Sequence, residues 1–326
     1  MCDVAVTDKR NGDRTTAAVV LGSGGARGYA HIGVIEALEE RGFEIIAVSG
    51  CSMGALVGGV YASGHLQDYR DWVVNLRQVD VLRLVDLSLS SMGAIRGDKL
   101  FAMVSEMVGD VSIEDLPLHY TAVATDLLSQ REVWFQDGSL ADAIRASIAI
   151  PSLLTPVITD NQLLVDGGLM NPIPILPTLS AQADVTIAVN LSGDSPRHTP
   201  TRPSGPVYSE ESEPPGRDGS APETLRQRAS RLLDWDSVRA RLSRDDEREG
   251  DAETIEQLGR FDIMNLSFEV MQATLSSYKL AGYPPDVIVE IPKSSARTFE
   301  FHRATELIDL GRRLGDETLD AAGLDG

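Results

Sequence analysis

The sequence predicts an α/β protein built on a doubly wound, mainly parallel sheet. Three observations carry that prediction. An apolar run, Thr16-Ala17-Ala18-Val19-Val20-Leu21, enters the glycine-rich loop Gly22-Ser23-Gly24-Gly25-Ala26-Arg27-Gly28, and a helix-compatible stretch follows. A second run, Glu44 to Ser49, enters Gly50-Cys51-Ser52-Met53-Gly54, and again a helix-compatible stretch follows. Two later runs, Val185 to Asn190 and Asp286 to Ile291, are uniformly apolar enough for strands covered on both faces.

Taken in order, Met1 to Thr16 is charged and reads as a disordered tail with no secretory signal. Tyr29 to Arg41 reads as a helix; Ile32, Val34, Ile35 and Leu38 share its inner face, and Gly42 closes it. Strand, loop, helix, strand is a βαβ unit. After the second glycine turn, Ala55 to Ala62 is helical, as are Leu66 to Leu76 and a stretch from Asp98 to about Val108. Val79 to Gly97 is mixed. Tyr120 to Thr125 is a strand and Glu132 to Phe135 its hairpin partner. Leu140 to Ala149 is a helix stopped by Pro151; Val157 to Thr159 and Gln162 to Val165 flank a turn, and the second of them delivers Asp166-Gly167-Gly168. A proline-rich, acidic insertion interrupts the domain at about 193–249, and its later part, Glu223 to Arg244, has amphipathic helical spacing. Ile255 to Leu280 is a long helix, apolar enough to pack on the sheet; Thr305 to Leu314 closes the chain. The domain expected is thus 17–326.

Composition narrows the function classes. The chain has 326 residues, 42% of them hydrophobic, and a net charge of −20. Such acidity argues against nucleic acid as a partner and against electrostatic docking on anionic lipid. No stretch approaches the ~20 apolar residues of a membrane span. Two cysteines, Cys2 and Cys51, make no disulfide framework and fit a reducing, cytoplasmic setting, from which transient contact with a membrane surface is open.

Gly50-Cys51-Ser52-Met53-Gly54 between a strand and a helix has the form of a nucleophile elbow. The tight turn strains its central residue and leaves the Ser52 hydroxyl exposed at a helix N-terminus. The Gly22 to Gly28 loop has two readings. A dinucleotide site is one, but its spacing is Gly22-x-Gly24-x-x-x-Gly28, and no acidic residue ends the second strand to hold a ribose. An oxyanion hole of unpaired backbone N–H groups is the other. Both turns follow neighbouring parallel strands, so their tips should meet. Ser52 needs a base. Asp166 is one candidate, at a strand end before two glycines. His302, late in the chain before the last helix, is the rival for a Ser-His-Asp esterase. His31, His65, His119 and His198 read as packed or surface histidines.

These three motifs, in this order, resemble the patatin-like phospholipase family, in its bacterial branch related to the neuropathy target esterase catalytic domain. Leu21 to Val34, with Ala30-His31-Ile32-Gly33-Val34, and Ile95-Arg96-Gly97-Asp98 add to the match, which covers about Ala17 to Val189. The resemblance implies a three-layer α/β/α sandwich and hydrolysis of acyl esters of phospholipids or lysophospholipids through an acyl-enzyme. It implies Ser52 as nucleophile, Asp166 as base without a histidine, and backbone amides of Gly24, Gly25 and Ala26 as the oxyanion hole. Gly22, Arg27, Gly28, Gly50, Gly54, Gly167 and Gly168 support these motifs, and no cofactor or metal is implied. Ser23 stands where the family loop often has a glycine. The other open possibility is a regulatory protein on the same fold with little or no turnover.

Overall fold

The computed structural model describes residues 14–77, 97–151, 153–159, 161–193 and 260–326. The expectations for Met1 to Asp13, for most of Val79 to Gly97, for nearly all of the insertion and for the helix at Glu223 to Arg244 lie outside those residues. The boundary of the tail shifts, however. Thr15 is buried and accepts the Glu44 N–H through its carbonyl at 2.9 Å, and Thr16 already belongs to a strand tied to Asp184.

The described residues form a sheet of eight strands: β1 (Thr16–Leu21), β2 (Glu44–Cys51), β3 (His119–Asp126), β4 (Arg131–Phe135), β5 (Val157–Ile158), β6 (Leu163–Asp166), β7 (Val185–Gly193) and β8 (Val287–Pro292). The spatial order is β5-β6-β3-β2-β1-β7-β8, with β4 paired to β3. The core β3-β2-β1-β7-β8 is parallel, as the apolar runs predict. β4, β5 and β6 are antiparallel, so the sheet is mixed at one end.

β3 explains how distant motifs meet. Its residues 122–126 pair with β4 along one edge. Along the other edge β2 pairs as far as Cys51↔Val123, and β6 takes over at Asp166↔Ala124. β2 and β6 therefore run toward each other along one edge of β3 and stop one residue apart. The ends of those two strands are Cys51 and Asp166.

Helices cover both faces. They are α1 (Ala30–Glu40), α2 (Met53–Ala62), α3 (Leu66–Val74), α4 (Asp98–Val108), α5 (Leu140–Ser147), α6 (Arg260–Gly282) and α7 (Ala304–Ala322). The inner residues expected of α1, Ile32, Val34, Ile35 and Leu38, are all buried and join Val19 and Leu21 of β1, Leu56 of α2 and Leu307 of α7 in the main core. Val20 points the other way, to Ala188, Ile173 and Ile175, where Leu280 of α6 packs. The result is a three-layer α/β/α arrangement with the core on either side of β1.

Two expectations change. α7 runs on to Ala322 before Gly323 caps it with φ 66, well past Leu314. Of the helix expected over Ile255 to Leu280, residues 255–259 lie outside the described residues and Leu280 packs on the sheet as expected, but its most buried residues are Gln272 and Ser276, while Leu266, Val270 and Tyr278 are exposed. The reason is what it covers: from Asn265 to Gln272 the inner face of α6 meets a polar cleft, and Leu280 further along meets apolar sheet. No described helix is long and apolar enough to cross a membrane.

Candidate active site

β2 ends at Cys51 and α2 begins at Met53, so Ser52 is a one-residue corner with φ 56 and ψ −123. A serine at positive φ is strained, and such strain persists only where the surroundings enforce it. Two contacts enforce it. The Ser52 N–H, past the end of the ladder, donates to Ser147 Oγ at 3.0 Å, and the Ser147 hydroxyl donates in turn to the Val123 carbonyl at 2.7 Å. Ser147 thus extends the β2–β3 ladder by one side-chain rung. The second contact is steric: a Cβ on Gly54 would collide with the Leu21 carbonyl of β1, so the first turn of α2 rests directly on the strand.

Asp166 is fully buried. Its Oδ1 accepts the Gly168 N–H at 2.7 Å, and the Cys51 thiol donates to the same oxygen at 3.8 Å. Oδ2 accepts no hydrogen bond of ordinary geometry among the described residues. Burial pushes the Asp166 pKa up from 3.8 to about 6; the Ser52 hydroxyl, the Gly168 N–H and the Cys51 thiol pull it partly back. The Cys51 thiol is itself pushed up, by burial first and by the Asp166 charge second, and stays a thiol.

The glycine loop departs from β1 and tightens into a 3-10 turn at Gly25–Tyr29. Its amides divide. Gly22 N–H donates to Val189 O, Ser23 N–H to Pro172 O, and Ala26 N–H to Thr298 O at 2.9 Å. Ala26, expected among the oxyanion donors, is therefore committed to a carbonyl far along the chain. The N–H groups of Gly24, Gly25 and Met53 take no partner among the described residues. Arg27 is buried; its guanidinium donates to the carbonyls of Lys293 and Ala296 and lies 3.7 Å from Glu269. It ties the loop to the segment after β8. His31, beneath the loop, has its pKa lowered by burial to about 4 and stays neutral, with Nε2–H donating to Gly22 O at 2.8 Å.

α6 closes the other side. Gln272 Nε2 donates to Ser23 Oγ at 2.9 Å, Thr298 Oγ1 donates to Glu269, and Lys279 pairs with Glu132 at 2.7 Å. Ser23 is thus the loop's own anchor for α6, a contact that a glycine there could not make. The cleft that results is lined by Ser23, Gly24, Gly25, Arg27, Ser52, Ile150, Asp166, Asn265, Phe268, Glu269, Gln272 and Thr298.

The structure brings Ser52, Asp166, Gly24 and Gly25 into one cleft and leaves the described histidines out of it. His302 lies in the turn Phe301–Arg303, His65 pairs with Asp68, and His119 opens β3 at the surface. His198 is outside the described residues. Three neighbours of the site were not singled out from sequence, one of which the motif does imply. The Met53 N–H is implicit in an elbow, as the amide after the nucleophile. Ser147 and Gln272 have no sequence signal, because each matters through a partner that only the fold supplies.

A sequence profile of the patatin-like phospholipase family matches residues 19–179. An uncharacterized NTE family protein of Mycobacterium tuberculosis (strain ATCC 25618 / H37Rv) is 43% identical over 343 residues, covering 94% of this chain and 92% of that protein. The human patatin-like phospholipase domain-containing protein 6 is 36% identical over 183 residues, and the Drosophila melanogaster neuropathy target esterase sws 33% over 186; each match spans 54% of this chain and 13% of the relative. The crystal structure of VipD from Legionella pneumophila superposes with a TM-score of 0.43 at 13% identity, over 95% of this chain and 67% of that one, a likeness too loose to build on. The chain belongs to the patatin-like phospholipases, a family of lipid acyl hydrolases, and its relatives of near-equal length are NTE family proteins.

Proposed function

We propose that this protein hydrolyses acyl esters of phospholipids or lysophospholipids through a Ser52–Asp166 dyad. The observation that carries the proposal is the buried Asp166 carboxylate at the end of β6, one rung of β3 from the end of β2: the Ser52 hydroxyl acts on it closely enough to lower its pKa, and its Oδ2 accepts no hydrogen bond of ordinary geometry among the described residues. Buried acceptors are nearly always satisfied, so an unsatisfied one beside a serine hydroxyl marks a proton acceptor in waiting. A pKa near 6 makes the carboxylate a far better base than an ordinary aspartate, yet leaves it ionised at neutral pH.

The steps follow from the placement. The Ser52 hydroxyl gives its proton to Asp166 while Oγ attacks the ester carbonyl. Negative charge develops on the carbonyl oxygen, and the N–H groups of Gly24, Gly25 and Met53 can receive it. The tetrahedral intermediate collapses, Asp166 returns the proton to the leaving alkoxide, and the acyl group stays on Ser52. Water, deprotonated by Asp166, then attacks the acyl carbonyl, and the fatty acid leaves as Asp166 returns that proton to Ser52 Oγ. Only this chain's residues are needed.

A serine-reactive fluorophosphonate read by intact mass tests the dyad. One adduct is expected on the wild type, none on Ser52→Ala, and an undiminished adduct on His302→Ala. Loss of labelling in His302→Ala with labelling retained in Asp166→Asn would overturn the dyad in favour of a histidine base.

Ser147 supplies a second prediction. Ser147→Ala leaves the Ser52 N–H buried without a partner, a loss of about 1–3 kcal/mol. The corner should relax, and the rate of fluorophosphonate labelling should fall roughly 10- to 100-fold at temperatures where the variant remains folded. Its dependence on pH should keep the wild-type midpoint, because Asp166 is untouched. An unchanged labelling rate would reduce Ser147 to packing.

A further inference from the structure

We propose that the outward face of α6, beside the cleft, docks the protein on an electrically neutral or zwitterionic lipid surface. The proposal deepens the hydrolase reading by naming the physical form in which substrate is met, but the docking itself does not require turnover.

α6 is amphipathic in reverse. Asn265, Phe268, Glu269 and Gln272 line the cleft, and Gln272 and Ser276 are its buried residues. The opposite side carries Leu266, 47% exposed, Val270, 67% exposed, and Tyr278, 72% exposed. A helix with a solvated outer face would reverse that assignment. Leu266 and Val270 stand four residues apart and so make one continuous patch.

Charge points the same way. From Met264 to Tyr278 the sequence holds one charged residue, Glu269, and it turns inward to Arg27 and Thr298. The outward face is therefore uncharged on a chain whose net charge is −20. The polar residues on that face are hydroxylic, and two of them keep their hydrogen bonds within the helix. Thr274 Oγ1 donates to Val270 O at 2.8 Å and Ser277 Oγ to Ala273 O at 3.0 Å. A hydroxyl satisfied by its own helix loses little when water leaves.

These features select the occupant. An acidic or basic protein partner would meet no complementary charge here. An anionic bilayer would be repelled by the chain as a whole. A neutral interface can accept Leu266, Val270 and the amphipathic Tyr278 at the depth of the headgroups. It would also lie against the helix whose inner face lines the cleft.

The test separates docking from catalysis. Full-length protein carrying Ser52→Ala is floated with vesicles of phosphatidylcholine, and again with phosphatidylglycerol mixed in. Binding is expected to the first and to weaken with the second. Adding Leu266→Asp and Val270→Asp should cut the bound fraction by about tenfold or more, since two apolar anchors become charges. In an otherwise wild-type background the same pair should leave hydrolysis of a soluble short-chain ester within about twofold, both residues being outside the cleft. No flotation of the folded protein on phosphatidylcholine, or equal flotation of the charged variant, would overturn the proposal. So would a vesicle-free dimer that the two substitutions dissociate, since the face would then join two copies. Flotation that persists in a protein without any esterase activity would support the docking while removing the hydrolase.

Discussion

Asp166→Asn is expected to lower kcat/KM for a soluble ester by roughly 10²- to 10⁴-fold, the usual worth of a general base. The same substitution should make the protein more stable at neutral pH. The two effects have one cause. Burial raises the Asp166 pKa from 3.8 to about 6, so the fold prefers the protonated acid and the unfolded chain prefers the carboxylate. For an acid raised in the fold, stability is highest below the unfolded value. It declines as pH rises between the two values, and above about 6 the full penalty remains. That penalty is on the order of 3 kcal/mol at neutral pH. Asparagine keeps an acceptor for the Gly168 N–H and carries no charge. The melting temperature of Asp166→Asn should therefore exceed that of the wild type at pH 7 to 8, and the difference should shrink toward pH 4. Wild-type kcat/KM should climb about tenfold per unit below pH 6 and level off above it. A variant that is both inactive and less stable at neutral pH would mean that Asp166 serves the fold, through its turn, more than the chemistry.

How much of this could be read beforehand depends on the range over which each signal acts. The β1–loop–α1–β2–elbow–α2 order was legible because each piece is local: an apolar run, glycines at a turn, helical spacing. The Ser52 corner was legible for the same reason, since an elbow is a short motif, but its expected exposure is not found: α6 and the glycine loop close over the cleft and Ser52 is buried. Asp166 was legible only as a strand end before two glycines. What makes it special, its arrival against Cys51 by an antiparallel strand on the same edge of β3, is a pairing between distant segments. No spacing in the sequence encodes that. The partner of the Ala26 N–H was hidden for a similar reason: the Thr298 carbonyl comes from near the other end of the chain. Ser147 sits among Ala143, Ile144, Ala146 and Ile148, all buried, and nothing nearby marks it as the rung that holds Ser52. α6 failed differently. Apolar residues face inward on a helix over bare sheet, as Leu280 does, and need not where the helix covers a polar cleft.

Gly54→Ala should be among the most damaging single methyls in the described residues, and the one that falls on the first turn after the nucleophile. The added Cβ would stand inside contact distance of the Leu21 carbonyl, backbone against backbone. β1 cannot yield, because Ala17 to Leu21 are buried between β2 and β7. The first turn of α2 must move instead, and Ser52 is its N-cap. Overpacking a core costs about 1–3 kcal/mol, and a clash between two backbones with no rotamer to change belongs at the top of that range or above it. Gly58 is the control, one turn further along the same helix. Its added Cβ would meet Val48 Cγ1 at 2.7 Å, a buried and stiff side chain that must give way, but no backbone atom lies as close. Alanine there also regains about 1 kcal/mol of helix propensity, so Gly58→Ala should be the milder of the two. Chemical denaturation should rank the two variants in that order. Fluorophosphonate labelling should separate them more sharply, because only the Gly54 variant displaces the nucleophile. Equal damage from both would mean that methyls anywhere under α2 are costly. A Gly54→Ala protein that labels at the wild-type rate would mean that the close passage over Leu21 is not what holds Ser52 at its corner.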